Sequence, residues 1–271
     1  MNTALPSMRG RTVLVVHAHP DDEAIFTGVT IRRLADAGAR VVLVTATLGE
    51  LGEVLVPLRP GETMAQRRVD ELERAADLLG VSRLVLLGQR DSGLPGAADN
   101  VHPHALAAAD VHRVARRIAQ LAEAERAEAI VHYDAQGIYG HPDHVAVHLI
   151  GRLAARFVGV TSYESTVDNE HLRDPAERAH LIHGAAEAAG LPYGLGAAEI
   201  GLALAATPVE LVAKRAAIGV HASQVSPDAV THASFAEAYG YEWYVREGAR
   251  GILDELVGEQ ERVAGFLAAT R

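Results

Sequence analysis

The sequence contains no cysteine, which excludes disulfide bonds and metal sites built on thiolates. No run of about 18 apolar residues occurs, so a membrane-spanning helix is not expected. Residues 1–12 carry two arginines but no apolar segment of the kind found in a secretory signal. We therefore expect a cytoplasmic protein in which any metal ion is held by histidine, aspartate, glutamate or backbone atoms.

Positive charge is also scarce. Lysine and arginine number 25 against 35 aspartates and glutamates, which gives a net charge of −10. Phosphate binding requires clustered basic residues, so neither nucleic acid nor an anionic membrane is an expected partner. The phosphate-binding motifs G-x-G-x-x-G after the first strand and G-x-x-x-x-G-K-[ST] are absent as well. We therefore expect a small-molecule partner, and leave open whether the chain forms a homo-oligomer.

Hydrophobic residues make up 49% of the 271 residues, which is enough for one large core. No internal repeat, low-complexity segment or clear linker interrupts the chain, so we predict a single domain over 1–271, less regular from about residue 158. Strand-like and helix-like segments alternate along the chain. This alternation predicts a Rossmann-like α/β fold, with three layers, α/β/α, around a mostly parallel sheet.

Apolar runs predict the strands, at 12–16, 40–47, 83–87, 129–133, 158–165 and 200–206. Helical spacing of apolar residues predicts the helices, at 24–37, 64–79, 111–121, 142–156, 174–189, 208–221 and 253–267. Two of these helices begin with a capping signal, Thr63 with Gln66 and Thr207-Pro208 with Glu210.

The segment His17-Ala18-His19-Pro20-Asp21-Asp22-Glu23 directly follows the first predicted strand. Two histidines and three carboxylates thus crowd at a strand's carboxyl end, which is where open α/β sheets bind ligands. His19 and Asp22 are three residues apart and can both reach one divalent ion across a turn, which leaves Asp21 free as a base. The alternative is a solvated acidic loop that caps the next helix.

The second half of such a site is expected in His141-Pro142-Asp143-His144, after the fourth predicted strand. The third metal ligand could be His141, His144 or His148, of which His144 lies in the first helical turn, nearest the strand ends. His148 lies further along the helix and is expected to pack or to face solvent. His141 could act as a charged electrophile, and Asp143 could hold a proton on an imidazole.

The preceding segment, 136–140, contains Tyr139, which could donate a hydrogen bond to a developing oxyanion. The alternative for these residues is a flexible glycine-rich turn.

Together, three segments resemble the LmbE/PIG-L family of metal-dependent N-acetylsugar deacetylases: 16–23, 47–53 and 139–144. Weaker support comes from 68–72, 90–93, 214–217 and 221–224. The resemblance covers about 11 to 250 and is strongest to the mycothiol-pathway members, a deacetylase and a conjugate amidase. It implies a Rossmann-like fold with zinc, or another divalent ion such as iron(II), at the carboxyl edge of the sheet.

The resemblance also implies a role for each matching residue. By position, His19, Asp22 and His144 match the metal ligands, and Asp21 matches the general base. His141 matches a residue that gives electrostatic or general-acid help, Asp143 one that tunes the charge of His141, and Tyr139 one that polarises the substrate carbonyl. Arg68 and Asp91 match positions near the sugar pocket. Residues 167–201 match nothing in the family. In the family this region helps to shape the substrate pocket, so the resemblance does not determine the identity of the substrate.

These observations predict a hydrolase that removes an N-acetyl or other N-acyl group from a small amino sugar or its conjugate, such as a GlcNAc-inositol. A mycothiol S-conjugate amidase and a metal- or sugar-binding protein without turnover are the alternatives. A different metallohydrolase is disfavoured. An amidohydrolase barrel needs eight βα units against about five clear strands here, and Glu23 stands where a metallo-β-lactamase-like site requires histidine.

Overall fold

A computed structural model describes residues 5–257 of the chain. Its strands are β1 (Thr12–His17), β2 (Arg40–Thr47), β3 (Arg83–Gln89), β4 (Ala129–Tyr133), β5 (Thr161–Thr166), β6 (Leu202–Ala205) and β7 (Tyr241–Glu247). Its helices are α1 (Asp22–Asp36), α2 (Met64–Leu79), α3 (Val111–Glu125), α4 (Gly137–Gly140), α5 (Pro142–Val158), α6 (Leu181–Ala189), α7 (Pro208–Val220), α8 (Pro227–Thr231), α9 (Phe235–Tyr239) and α10 (Ile252–Leu256).

The strands form one seven-stranded sheet in the order β3-β2-β1-β4-β5-β7-β6. The first five of these pair in parallel, whereas β7 runs antiparallel to both β5 and β6. Strand order therefore reverses between β1 and β4, and the loops after these two strands leave the same edge of the sheet. This switch point is where a ligand cleft is expected in a doubly wound sheet.

Helices cover both faces of the sheet, so the core has three layers. On one face α1, α2 and α7 contact one another, and on the other α3 packs against α5. All six residues of β1 are buried, as expected for a central strand with helices on both sides. The predicted α/β fold with three layers and a mostly parallel sheet is confirmed.

Capping signals place the starts of α2 and α7 as the sequence predicts. The Thr63 hydroxyl accepts a hydrogen bond from the Gln66 backbone N–H, and the Gln66 side-chain oxygen accepts one from the Thr63 backbone N–H. Thr207 and Glu210 form the same reciprocal pair, with Pro208 at the first helical position. Glu210 additionally binds the buried Arg33 of α1, so this cap also ties α7 to its neighbouring helix.

Strand β7 was missed by the sequence analysis. Glu242 lies within it and is buried, which breaks the apolar pattern that identifies central strands. The carboxylate is tolerated because the Lys214 ammonium (2.7 Å) and the Val29 and Thr30 backbone N–H groups donate to it. These partners lie far away in the sequence, so no local pattern shows them.

Two predicted elements begin well after their predicted starts. The predicted helix over 174–189 begins only at Leu181, because residues before it form turns, in one of which Asp174 accepts the Ala176 backbone N–H. The strand predicted from 158 begins at Thr161, after Gly159 ends α5 at a positive φ of 76°. Of the helix predicted over 253–267, the start appears as α10, which ends at Leu256, and residues 258–267 lie outside the described part of the chain.

Candidate active site

A cavity of about 270 Å³ opens at the carboxyl edge of the parallel strands. The loops after β1, β2, β3 and β4 all contribute to its walls, and α2, α6 and the segment after α7 close the remaining sides. The predicted site residues that line it are His19, Asp21, Asp22, Arg68, Asp91, Tyr139 and His141. His144 and Asp143 are buried directly behind this wall.

Three predicted ligand atoms converge to nearly equal spacings. His19 Nδ1 lies 3.3 Å from His144 Nε2 and 3.5 Å from Asp22 Oδ2, and the last two atoms are 3.4 Å apart. Bonds of about 2.0–2.1 Å to a tetrahedral zinc ion separate its ligand atoms by about 3.3–3.4 Å. The donor set and its spacing therefore fit a divalent metal with a further coordination position open.

The other nitrogen of His19 is held by a carboxylate. His19 Nε2 lies 3.2 Å from Asp143 Oδ2, and the same oxygen accepts the Ser92 backbone N–H. An Nε2–H that donates to Asp143 leaves the Nδ1 lone pair for a metal, which is the usual arrangement of a metal-binding histidine. The carboxylate of Asp143 thus contacts the ring of His19, whereas its backbone N–H donates to His141. That Asp143 tunes the charge of His141 stays a prediction.

A second group of side chains also brings potential ligand atoms within 4.8 Å of one another: His19, Asp91, His141 and Asp143. It needs the Nε2 atom of His19, which the Asp143 carboxylate already engages. Because His19 is shared, both groups can hold a metal at once only if the imidazole loses its last proton. The group of His19, Asp22 and His144 is the better metal site, because its three ligand atoms lie 3.3–3.5 Å apart, as around one ion.

Asp21 is placed by a strained backbone. Its φ is 112°, which is rare for a residue with a side chain, and it stands at the start of α1. Glu23 accepts the Asp21 backbone N–H (2.9 Å), and the Arg68 guanidinium lies 3.1 Å from Asp21 Oδ2. Burial raises the pKa of Asp21 to about 6, against the opposing effect of the Arg68 charge. A carboxyl group with this pKa is suited to proton transfer near neutral pH.

His141 is neutral and has a defined tautomer. Its Nδ1 accepts the Asp143 backbone N–H (3.2 Å) as the cap of α5, so the proton is on Nε2. Burial, followed by the neighbouring His19 and His144 imidazoles, lowers the pKa of His141 to about 2. The expectation of a charged electrophile is thus corrected to a neutral N–H donor.

Tyr139 follows a second strained position. Ile138 has φ 63° and ψ −52°, an outlier for a β-branched residue. Its N–H donates to Asp134 Oδ1 (2.9 Å) and its C=O accepts the Gly194 N–H (2.6 Å), which hold the turn. Gly137 is required here, because a Cβ would lie 2.6 Å from the Val145 backbone nitrogen. The turn sets the Tyr139 ring edge-on to that of His144, at 4.8 Å between centroids.

Arg68 and Asp91 lie in the cavity as predicted, and both also organise its loops. Arg68 donates to the Gly49 carbonyl (2.9 Å) and to the Pro20 carbonyl, which joins the loops after β1 and β2. Asp91 accepts the backbone N–H groups of Gly93 (2.8 Å) and Leu51 (3.3 Å). Their side chains therefore shape the pocket as well as line it.

Sequence analysis missed several residues of the site as functional candidates. Tyr133 donates to Asp22 Oδ2 (2.7 Å), and Ser92 supports Asp143. Gln224 lines the cavity and lies 3.3 Å from Arg68, although only its segment had been noted. The sequence signal for Tyr133 was its position at the carboxyl end of a predicted strand. A tyrosine that only packs in the core is equally typical of that position.

Comparisons with known proteins identify the family of this chain. Residues 14–155 match the family profile described as "PIG-L: GlcNAc-PI de-N-acetylase". A 1D-myo-inositol 2-acetamido-2-deoxy-alpha-D-glucopyranoside deacetylase from Salinispora arenicola is 34% identical over 275 residues, which cover 92% of this chain and 89% of that protein. One of the same description from Kineococcus radiotolerans is 50% identical over 155 residues, 51% of this chain but only 43% of that protein.

The fold also resembles a solved structure. N,N'-diacetylchitobiose deacetylase from Pyrococcus horikoshii superposes with a TM-score of 0.56 at 23% identity, over 88% of this chain and 84% of that one. Because the sequence identity is low, this similarity supports the fold alone.

Proposed function

Because the chain belongs to the GlcNAc-PI de-N-acetylase (PIG-L) family, we propose that it hydrolyses the N-acetyl group of a small amino sugar or its glycoside. The observation that carries the proposal is the convergence of His19, Asp22 and His144 at 3.3–3.5 Å beside the carboxylate of Asp21, which lines the cavity. The described activity of the relatives suggests a GlcNAc-inositol as substrate.

Zinc is the metal that we assign to the site, since two imidazoles and one carboxylate are ligands it prefers, and iron(II) could use the same set. A divalent ion held there supplies a Lewis acid that polarises an amide carbonyl and makes water a nucleophile near neutral pH.

The chain's own groups supply the proton transfers. Asp21 is the proposed general base, because its carboxylate lines the cavity beside Asp22 and is fixed by Arg68. With a pKa of about 6 it is mainly ionised at neutral pH and can take the proton of the attacking water. The leaving amine then needs a proton. Asp21 is the proposed donor, since His141, with a pKa of about 2, does not hold an extra proton.

Tyr139 and His141 are the proposed donors to the oxyanion that forms on the substrate carbonyl. Both side chains line the cavity, and the backbone cap leaves the Nε2–H of His141 free to donate. Neutral donors fixed in place before the reaction stabilise developing charge without reorganising. Arg68 and Asp91 are the proposed contacts to the sugar.

The test measures acetate and free amine from N-acetylglucosamine, its inositol glycoside and a mycothiol S-conjugate. The purified protein is used as isolated, after chelation and after zinc is restored. We expect cleavage of the inositol glycoside, its loss on chelation and its return with zinc. Cleavage of the S-conjugate alone would instead identify the amidase activity. No cleavage of any compound by protein that contains zinc would contradict the proposed deacetylation.

A further inference from the structure

His17 begins the first motif but has no part in the proposed chemistry. Its side chain is fully buried and does not line the cavity. Both ring nitrogens have partners: Nδ1 lies 2.9 Å from the Tyr133 hydroxyl, and Nε2 lies 2.8 Å from Thr27 Oγ1. A histidine with such partners on both nitrogens serves to orient its neighbours.

The Tyr133 hydroxyl makes three hydrogen bonds, and its single proton decides their directions. It lies 2.7 Å from Asp22 Oδ2, which as a carboxylate can only accept. The Ala18 backbone N–H donates to the hydroxyl oxygen at 2.9 Å. The remaining bond must also be donated to that oxygen, so His17 carries its proton on Nδ1. Its Nε2 then accepts the Thr27 hydroxyl proton (2.8 Å), and this bond takes that proton from the longer contact of the hydroxyl with the Glu23 carbonyl (3.0 Å).

The ring of Tyr133 contacts a second metal-site residue. It stacks on the His144 imidazole with 4.2 Å between centroids and 10° between planes. Phe26 packs edge-on against both of these rings, at 6.3 Å from Tyr133 and 6.2 Å from His144. One buried side chain therefore restrains two of the three ligands, the carboxylate through its hydroxyl and the imidazole through its ring.

We propose that Tyr133 is a positioning residue for the metal site, which holds Asp22 and His144 at coordinating distance, and that His17 fixes the direction of its hydroxyl proton. The proposal rests on the metal site assigned above but not on the reaction. A core tyrosine without this role would show the same burial, so metal affinity, rather than stability, decides between the two.

The experiment measures the affinity of the full chain for Zn²⁺ by competition with a chromophoric chelator. Tyr133→Phe keeps the ring on His144 but removes the bond to Asp22, and we expect a loss of about 10–100-fold, as for other groups that support metal ligands. The control is Tyr163→Phe, which removes a buried hydroxyl that donates to Asp254 (2.7 Å), away from the cavity. This variant should bind Zn²⁺ like the wild type.

A second pair of variants tests His17 and serves if Tyr133→Phe does not fold. His17→Leu removes the donor to Tyr133 and should weaken Zn²⁺ binding several-fold, whereas His17→Asn retains a donor near the Nδ1 position and should restore it.

Wild-type affinity in both Tyr133→Phe and His17→Leu would overturn the proposal. If the wild type itself binds no Zn²⁺, the assigned metal site is wrong and the proposal fails with it. Zn²⁺ binding without deacetylation would count against the proposed function alone.

Discussion

Three consecutive carboxylates after β1 have three different environments. Asp22 accepts the His19 backbone N–H and the Tyr133 hydroxyl, and its Oδ2 lies near two imidazole nitrogens. Asp21 faces the cavity beside Arg68. Glu23 is fully buried and accepts from His221 Nε2 (2.6 Å) while it holds the Asp21 N–H. Their side chains are nearly alike, so the different roles of the three carboxylates come from the groups that surround each of them.

Asp21→Asn tests this division. The amide cannot act as a base, so we expect turnover to fall by at least about 100-fold while zinc content is unchanged. In the wild type, kcat/KM should decline as the pH falls below about 6, because Asp21 then takes up a proton in the free enzyme. The control is Asp36→Asn, which alters an exposed pair with Arg32 at the end of α1. Near-full activity of Asp21→Asn would show that another group is the base.

At the scale of elements, the sequence predicted those parts of the structure that local signals determine, and missed those that depend on distant contacts. Strands β1 and β2 were predictable because each contains an unbroken apolar run, at 13–16 and 41–44, and α2 because its capping box lies within four residues. The spacing of His19 and Asp22 also indicated two candidate ligands. The third, His144, was one of three histidines that the sequence pattern left open, and the family resemblance implied it. The role of Tyr133 was not predictable, because its hydrogen-bond partner Asp22 lies more than 100 residues away in the sequence. Strand β7 was not predictable either, because its buried Glu242 pairs with a lysine 28 residues away.

Two helical glycines provide a matched test of packing. In α5, a Cβ on Gly151 would lie 2.6 Å from the buried ring of His132, so Gly151→Ala should destabilise the fold by about 1–3 kcal/mol. In α6, nothing lies within 4 Å of the same position on Gly184. Gly184→Ala should therefore stabilise by about 0.5–1 kcal/mol through helix propensity. Urea denaturation of both variants measures the difference, and equal effects would show that α5 does not pack on His132 in this way.

At the scale of the whole molecule, the site depends on contacts between distant parts of the chain. Gln224 and His221, from the segment after α7, meet Arg68 and Glu23 respectively. In residues 5–257, no helix is long and apolar enough to cross a membrane.

Three expectations at this scale remain predictions: a single domain over 1–271, a cytoplasmic location and the absence of a nucleic-acid partner.

Buried histidines make the stability of the whole fold depend on pH. Burial lowers the pKa of His132 to about 3 and that of His17 to about 4, from an ordinary value of 6.5. At these two positions the unfolded chain then binds more protons than the folded one below pH 6.5. The stability that the two neutral imidazoles contribute is therefore complete above that pH and is lost as the pH falls toward 3.

The unfolding free energy of the wild type and of His132→Gln should be compared at pH 7 and pH 5. We expect the wild type to lose more stability between these values, by up to about 2 kcal/mol, because only it must keep a neutral imidazole at position 132. His112→Gln is the control, because His112 lies at the start of α3 outside the core. An identical pH dependence of His132→Gln and the wild type would contradict the inferred pKa.

The place of β7 between β5 and β6 has a consequence for biosynthesis. A ribosome makes β6 before β7, yet β6 pairs only with β7 among the described strands. The parallel strands β1 to β5 can assemble while the chain is still growing, but β6 must wait until residues 241–247 have emerged. Gln224 and His221 lie in this interval. The cavity is therefore completed late, and a chain that stalls before β7 would expose an unpaired sheet edge to aggregation.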